Sequence, residues 1–380
     1  MQNLLVLGST GSIGRNTLDI VSRTKEFNVV GLSCKSNIDE LSRQIEKFKP
    51  KYVCVEDSNL AAVVRERFKD ITVFEKEEGL IELVSLESVD FVVNAIVGSA
   101  GLSPTYYTLK NSKKLALANK ESLVVAGRLL KKIANDNGIE IVPIDSEHSA
   151  IYQCLEGKKK EEIEKLILTA SGGPFLDKDF TSATVEDALS HPNWDMGKKI
   201  TIDSATMMNK GFEIIEARWL FDIKSIEVVI HPESIIHSAV EFVDGSIIAQ
   251  IADHDMRIPI AYALFKPKRV SLPFKISLSD VGKLTFRKPE FGRFPTLEFA
   301  FEALRKEEKN LGLILNVADE IAVESFLKEK IKFVDIFRIL EISLEKFEDN
   351  LPSEIDGIKE MLRDIKVKVL ELLKDRFWRS

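Results

Sequence analysis

Residues 141–150 read IVPIDSEHSA, an apolar run that ends in two carboxylates, Asp145 and Glu147, on either side of Ser146. If extended geometry persists through this tip, alternate side chains share a face and both carboxylates point the same way. Two such groups close together repel and raise one another's pKa unless a cation resolves the conflict. Oxygen ligands suit a hard divalent ion, so the pattern asks for Mg2+ or Mn2+, with Co2+ as a further option.

Further along, SATMMNKGFEIIEARW predicts one helix on which Asn209, Lys210 and Glu213 share a surface, three and four positions apart. A lysine and a carboxylate so spaced can simply pair at a surface. The neighbours Met207, Met208, Gly211 and Phe212 favour partial burial instead. Spacing leaves both Glu213 and Glu216 open as a third carboxylate ligand. Two loops bear on an anionic ligand. TASGGPF, residues 169–175, places Ser171 ahead of two glycines, a backbone suited to cradling an oxyanion. HPNWDMGKK, residues 191–199, combines Pro192, Trp194 and Gly197 in a pattern that suits a water-excluding lid. Either loop can also be a plain surface connection. The five histidines, 148, 191, 231, 237 and 254, show no H-x-x-x-H spacing, so zinc is not suggested.

At the start of the chain, LLVL is followed directly by GSTGSIG, Gly8 to Gly14, opening a helical pattern. Glycines there permit a tight turn, and the helix N-terminus offers free N–H groups to a pyrophosphate. The next strand ends in Ser33-Cys34-Lys35-Ser36-Asn37, without the acidic residue that binds a ribose 2′-hydroxyl. A lysine flanked by hydroxyl and amide groups can pair with a 2′-phosphate, which favours NADP(H) over NAD(H).

The elements that must position these groups follow from periodicity. Near-continuous apolar strands are predicted at 4–8, 27–33, 51–56, 90–98, 114–118 and 139–144, separated by amphipathic segments such as Asn37–Lys49 and Glu121–Asn135. That alternation predicts a doubly wound, Rossmann-like α/β domain over residues 1–145. Strands at 163–170, 198–203 and 225–231, then a hairpin turning at Asp244–Gly245, predict an α+β domain over 146–285. From there to residue 380 the pattern predicts a C-terminal helical bundle.

Composition narrows the partners. With 53 Lys+Arg against 60 Asp+Glu over 380 residues, the formal charge of −7 gives no footprint for nucleic acid or an anionic membrane. No apolar run reaches the length of a membrane span, and the N-terminus lacks a signal pattern, so a cytoplasmic chain with a small-molecule ligand is expected. Cys34, Cys54 and Cys154 fit no disulfide framework or metal motif and read as reduced packing residues.

Taken in order, GSTGSIG, LANKES, DSEHSA, ASGGPF, HPNWDMG, DSATMMNKGFEIIEA and HPESIIHS resemble the 1-deoxy-D-xylulose 5-phosphate reductoisomerase family over essentially the whole chain. The resemblance implies conversion of 1-deoxy-D-xylulose 5-phosphate to 2-C-methyl-D-erythritol 4-phosphate with NADPH and a divalent metal, in isoprenoid-precursor synthesis, by a homodimer. It implies Asp145, Glu147 and Glu213 as metal ligands, with Lys120 joining them as a catalytic group. Ser171, Ser204, Asn209 and Lys210 match contacts to the substrate phosphate, with His191 nearby on the loop as a further substrate-binding residue, and Lys120 and Ser146 match contacts to its other oxygens. Trp194 and Met196 match the lid, and Ser234 and His237 match the cavity lining. Thr10, Gly11, Ser12 and Ile13 match the pyrophosphate loop, Lys35 and Asn37 the 2′-phosphate region, and Asn119 and Glu121 later cofactor contacts. Two departures from the family pattern are Cys34, commonly glycine or alanine, and Glu233, commonly glutamine. Competing expectations are an NADP-dependent dehydrogenase of the homoserine or semialdehyde type and a non-catalytic NADPH-sensing module. Neither gives a use to the three carboxylates.

Overall fold

The computed structural model describes residues 1–191 and 197–378. By packing, the chain divides into two units: Met1–Ser122, Arg128–Ser149 and Asp255–Phe274 form the first, and Leu123–Gly127, Ala150–His254 and Lys275–Ser380 the second.

Seven parallel strands build the first unit: β1 (Gln2–Leu7), β2 (Phe27–Cys34), β3 (Tyr52–Val55), β4 (Thr72–Glu75), β5 (Phe91–Asn94), β6 (Lys114–Leu117) and β7 (Ile141–Pro143). Their order is β4-β3-β2-β1-β5-β6-β7, so the chain winds one way from β1 to β4 and the other way from β5 to β7. The topological switch point therefore falls between the carboxyl ends of β1 and β5, where ligands of open α/β sheets bind. β4 has no counterpart in the sequence-based expectation, because TVFE is a four-residue edge strand too short to show a period. Helices α1 (Ser12–Thr24), α2 (Ile38–Phe48), α3 (Ser58–Arg67), α4 (Lys76–Ser85), α5 (Leu102–Lys110) and α6 (Lys120–Asp136) connect these strands. α6 has a break in helical geometry at Ala126. After β7 comes α7 (Ser146–Leu155). Leu4, Val6, Leu32, Val53 and Val93 are buried against α1, α2 and α3 in one core, which Ile260, Ala261 and Leu264 complete from a helix far along the chain.

The second unit holds a mixed sheet, β8 (Ile163–Ala170), β9 (Ile226–Ile230), β10 (Ile236–Phe242) and β11 (Ile247–Ile251), in the order β11-β10-β8-β9. β8 and β9 are parallel, and the β10–β11 hairpin turns at Asp244–Gly245 as its sequence predicts. The helices are α8 (Val185–Leu189), α9 (Lys198–Ala205), α10 (Met208–Phe221), α11 (Arg257–Phe265, in the first unit), α12 (Leu278–Val281), α13 (Thr296–Arg305), α14 (Leu311–Leu327), α15 (Phe333–Phe347) and α16 (Ile355–Arg376). Two expectations are corrected here. Residues 198–203 are not a strand but most of α9; the β-branched Ile200, Thr201 and Ile202 mimic a strand, while the Thr201 amide donates to Gly197 O at 3.1 Å and that of Thr206 to Ile202 O at 2.9 Å, the spacing of a helix. The segment from Ser204 to Trp219 is not one helix but two, broken at Met207, whose φ of 61° is left-handed. Among the described residues no helix is long and apolar enough to cross a membrane.

Candidate functional site

In the first unit, Gly8 follows β1 with φ +70°, and a Cβ there would lie 2.6 Å from the carbonyl oxygen of Ala95, so only glycine lets the loop pass the turn after β5. Gly11 precedes α1, and no side chain caps that helix, leaving its first N–H groups to an incoming anion. Thr10, Gly11, Ser12 and Ile13 form this turn and first residues, at the switch point. The amide of Gly8 donates to Ser33 Oγ at 3.0 Å and that of Ser9 to Ser33 O at 2.8 Å, which ties the loop to the end of β2.

Beyond β2, the Cys34 side chain turns into the core, and burial pushes its thiol up to about 12. The departure at this position is a packing substitution. Lys35 stands 81% exposed, its Nζ 3.9 Å from Glu56 Oε1, free to swing toward an added phosphate. Asn37 caps α2, accepting from the Glu40 amide at 3.1 Å. Asn119 and Glu121 are buried at the start of α6. The Asn119 amide donates to Ile96 O and Gly98 O at 2.8 and 2.9 Å, and the Gly98 amide donates to Glu121 Oε1 at 3.0 Å. Both residues thus shape the Ala95–Gly98 turn opposite the glycine loop.

The tip of β7 also differs from its expected geometry. Asp145 is the N-cap of α7: its carbonyl accepts from Ser149 at 2.8 Å and its Oδ1 from the Glu147 amide at 3.3 Å. The two carboxylates are brought together by a helix start rather than by strand alternation. Lys120 Nζ lies 2.9 Å from Asp145 Oδ2, and His148 Nδ1 3.6 Å from Oδ1. Burial alone would raise the Asp145 pKa; the Lys120 ammonium and His148 outweigh it and hold the carboxyl well below its usual range. The Ser146 hydroxyl donates to Glu147 Oε2 at 2.6 Å.

In the second unit, β8 delivers the loop of Ser171. Gly173, at φ +68°, packs so tightly that a Cβ would come within 2.5 Å of Ser204 O, the last turn of α9. Ser171 Oγ lies 3.2 Å from His191 Nε2 and accepts from the Gly173 amide at 3.2 Å. Burial lowers the His191 pKa and the neighbouring His254 lowers it further, which favours the neutral imidazole. The left-handed joint at Met207 turns the chain from Ser204 into α10. There Asn209 Nδ2 donates to Glu213 Oε1 at 2.5 Å and Lys210 pairs with Glu213 Oε2, both charges buried. Ser234, with a left-handed φ of 53°, and His237 line the same unit; the His237 ring is 6.3 Å from that of His254. Glu233 accepts from the Thr285 amide at 3.1 Å and lies 3.1 Å from His231 Nδ1, so the second departure braces the Ser234 turn. The His254 ring nitrogen lies 3.0 Å from Glu233 O; nothing in the sequence singles this histidine out from the other four. Trp194 and Met196, the expected lid residues, lie outside the described residues.

A doubly wound sheet with a glycine turn at its switch point, joined to an α+β unit that buries lysine, carboxylate and serine groups, defines a dinucleotide-binding α/β protein with a separate polar site. The particular family follows from comparison. The profile for 1-deoxy-D-xylulose 5-phosphate reductoisomerase matches residues 4–127, that for its C-terminal domain residues 141–221, and that for the DXP reductoisomerase C-terminal domain residues 251–367. A protein of that name from Caldanaerobacter subterraneus subsp. tengcongensis is 51% identical over 367 residues, covering 94% of this chain and 96% of its own. Another from Chlorobium phaeovibrioides is 48% identical over 366 residues, covering 94% and 95%. Among solved structures, a DOX-P reductoisomerase in complex with NADPH, fosmidomycin and magnesium superposes with a TM-score of 0.93 at 41% identity, covering 99% of this chain and 100% of that one. The Zymomonas mobilis enzyme in complex with NADPH gives 0.92 at 36% identity, covering 98% and 99%. The chain belongs to the 1-deoxy-D-xylulose 5-phosphate reductoisomerase family.

Proposed function

We propose that this protein isomerises and reduces 1-deoxy-D-xylulose 5-phosphate to 2-C-methyl-D-erythritol 4-phosphate, with NADPH and a divalent metal. The observation that carries this reading is full-length kinship at 51% identity in a chain that keeps both the glycine turn and the charged groups of the second unit. An NADP-dependent dehydrogenase of the homoserine type or an NADPH-sensing module leaves Asp145, Glu147, Glu213, Lys210 and Ser171 without work. The residues fit both absent groups: the uncapped α1 and the glycine loop leave room and N–H donors for a pyrophosphate, and Asp145, Glu147 and Glu213 offer oxygen donors to Mg2+, Mn2+ or Co2+.

When bound, the divalent ion polarises the substrate's oxygens for skeletal rearrangement, by a retro-aldol/aldol or an α-ketol route, and NADPH supplies the hydride. In this reading Asp145, Glu147 and Glu213 would hold the ion. Lys120 keeps Asp145 ionised and, with Ser146, meets the substrate oxygens. Three carboxylates exceed a divalent charge by one, and a phosphate dianion adds more, so Lys210 and Lys120 supply the offset. Ser171, Ser204, Asn209, Lys210 and neutral His191 grip the phosphate, while Ser234 and His237 line the cavity and Trp194 and Met196 cover it. Lys35 and Asn37 select NADPH. Gripping the remote phosphate contributes to turnover as well as binding, because binding energy far from the reacting carbons orients them.

The reading includes a homodimer, for which the exposed edge strand β11 is support: Ile247 and Ile248 are 56% and 40% exposed, and Val243 before it 63%. It also includes the cytoplasm, consistent with three buried free thiols. Its test is product analysis. Incubation of the purified protein with 1-deoxy-D-xylulose 5-phosphate, NADPH and Mg2+ gives 2-C-methyl-D-erythritol 4-phosphate by NMR, one molecule per NADPH consumed; a reduced but unbranched product overturns the reading.

A further inference from the structure

Behind the Ser171–Ser204 loop pair lies a second charge cluster that the proposed chemistry does not use. Lys199 and Asp203 sit one turn apart on α9, and Asp319 reaches them from α14, 120 residues away from Lys199. Lys199 Nζ donates to Asp203 Oδ2 at 2.6 Å and to Asp319 Oδ2 at 2.7 Å. Its ammonium also lies 5.0 Å from the Phe212 ring of α10. Asp203 is 3% exposed and Asp319 fully buried. In each, Oδ1 has no hydrogen-bond donor among the described residues.

We propose that Asp203 and Asp319 are positioning residues for Ser204: bridged by Lys199, they lock α9 to α14 and so fix the serine that follows Asp203 against the Gly173 loop. A surface pair would not do this, but a buried cluster fixes one geometry, since loss of either partner strands a charge away from water. The lock is bilateral. Gly173 packs against Ser204 O on one side, and Asp319 holds α9 through Lys199, which also binds Asp203 next to the serine, on the other.

Charge counting completes the device. Among the described residues two carboxyls face Lys199, and a single proton shared by the pair makes that cluster neutral. Burial first, and Asp319 second, push the Asp203 carboxyl well above its usual range, against the opposing pull of Lys199. Of the other helices against α9, α8 carries Glu186 and the ionised Asp187, which accepts from Thr184, and α10 presents the Phe212 ring, the Lys210–Glu213 pair and the buried Glu216. On α14 the next charged residues are Glu320 and Glu324, the latter paired with Lys328. Because the folded-state value is raised, the contribution of Asp203 to stability is full below the unfolded carboxyl value of about 3.9 and is lost as pH rises through the folded one.

The inference rests on Ser204 as a phosphate contact, so three variants of the intact protein are compared. Ser204→Ala tests that contact: about a tenfold rise in KM for the phosphorylated substrate supports it. Asp319→Ala should raise the same KM about tenfold with NADPH affinity unchanged. Asp319→Asn keeps an acceptor for Lys199 and removes the second carboxyl charge, so it needs no shared proton and restores the KM. An unchanged KM in Ser204→Ala overturns the phosphate role. A raised KM there with an unchanged KM in Asp319→Ala overturns the positioning role. Should Asp319→Ala fail to fold, melting decides: wild type loses Tm relative to Asp319→Asn as pH rises, whereas a pH-independent difference overturns the shared-proton lock.

Discussion

Two aspartates make opposite use of the same chemistry. Asp145, between β7 and α7, has Lys120 and His148 beside it, and its carboxyl is held well below the usual range. Asp203 shares Lys199 with Asp319, and its carboxyl is pushed well above that range. Both are desolvated, so burial does not set the direction; the ratio of cations to carboxyls does. A lysine and a histidine beside one aspartate keep it ionised, the state that its proposed metal role needs. One lysine for two yields a proton-sharing clamp, useful for holding helices and useless as a ligand.

Experiments that break this comparison follow from its charges. The largest effect belongs to Glu213→Gln, which removes a proposed ligand: metal-dependent turnover should fall by at least about 100-fold while NADPH still binds, and near-full turnover would remove Glu213 from the ligand set. Lys120→Met strands Asp145 and should cost about 3–5 kcal/mol of stability, read by denaturant unfolding. The same variant sharpens the contrast in pH. A lowered folded-state value means that Asp145 contributes stability above the unfolded carboxyl value and loses it as pH falls through the folded one, the reverse of Asp203. Wild type relative to Lys120→Met should therefore lose its advantage toward acid; equal losses at all pH values would refute the pairing. Gly8→Ala places a Cβ on the Ala95 carbonyl at a left-handed φ and should weaken NADPH by about 1–3 kcal/mol, measured by titration. Smallest is Lys35→Asp, an exposed site, where the NADPH-to-NADH preference should drop roughly tenfold; an unaltered ratio removes Lys35 from the 2′-phosphate region.

The dinucleotide half was legible because its signals are local. Strand, glycine turn and helix follow within GSTGSIG, and apolar runs mark six of seven strands before any tertiary contact is known. What escaped was the short edge β4 and the return of α11 to the first unit's core, a contact between residues more than a hundred positions apart that leaves no local pattern. In the second unit, spacing put Asn209, Lys210 and Glu213 on one surface without choosing Glu213 over Glu216, and Ser171 drew notice only by the two glycines after it. Lys199 and Asp203 did not, because KKITID reads as a strand, and the fourfold spacing of a lysine and an aspartate carries meaning only on a helix. Asp319 stands beside Glu320 in an otherwise apolar stretch of α14, where an acidic residue looks like an exposed position until the fold buries it.

The most direct test of the account is NADPH consumption by the purified protein in the presence of 1-deoxy-D-xylulose 5-phosphate, with and without Mg2+. The account predicts oxidation that requires both substrate and metal and stops on chelation. Substrate-dependent oxidation that continues unchanged in excess chelator would contradict the roles given to Asp145, Glu147 and Glu213.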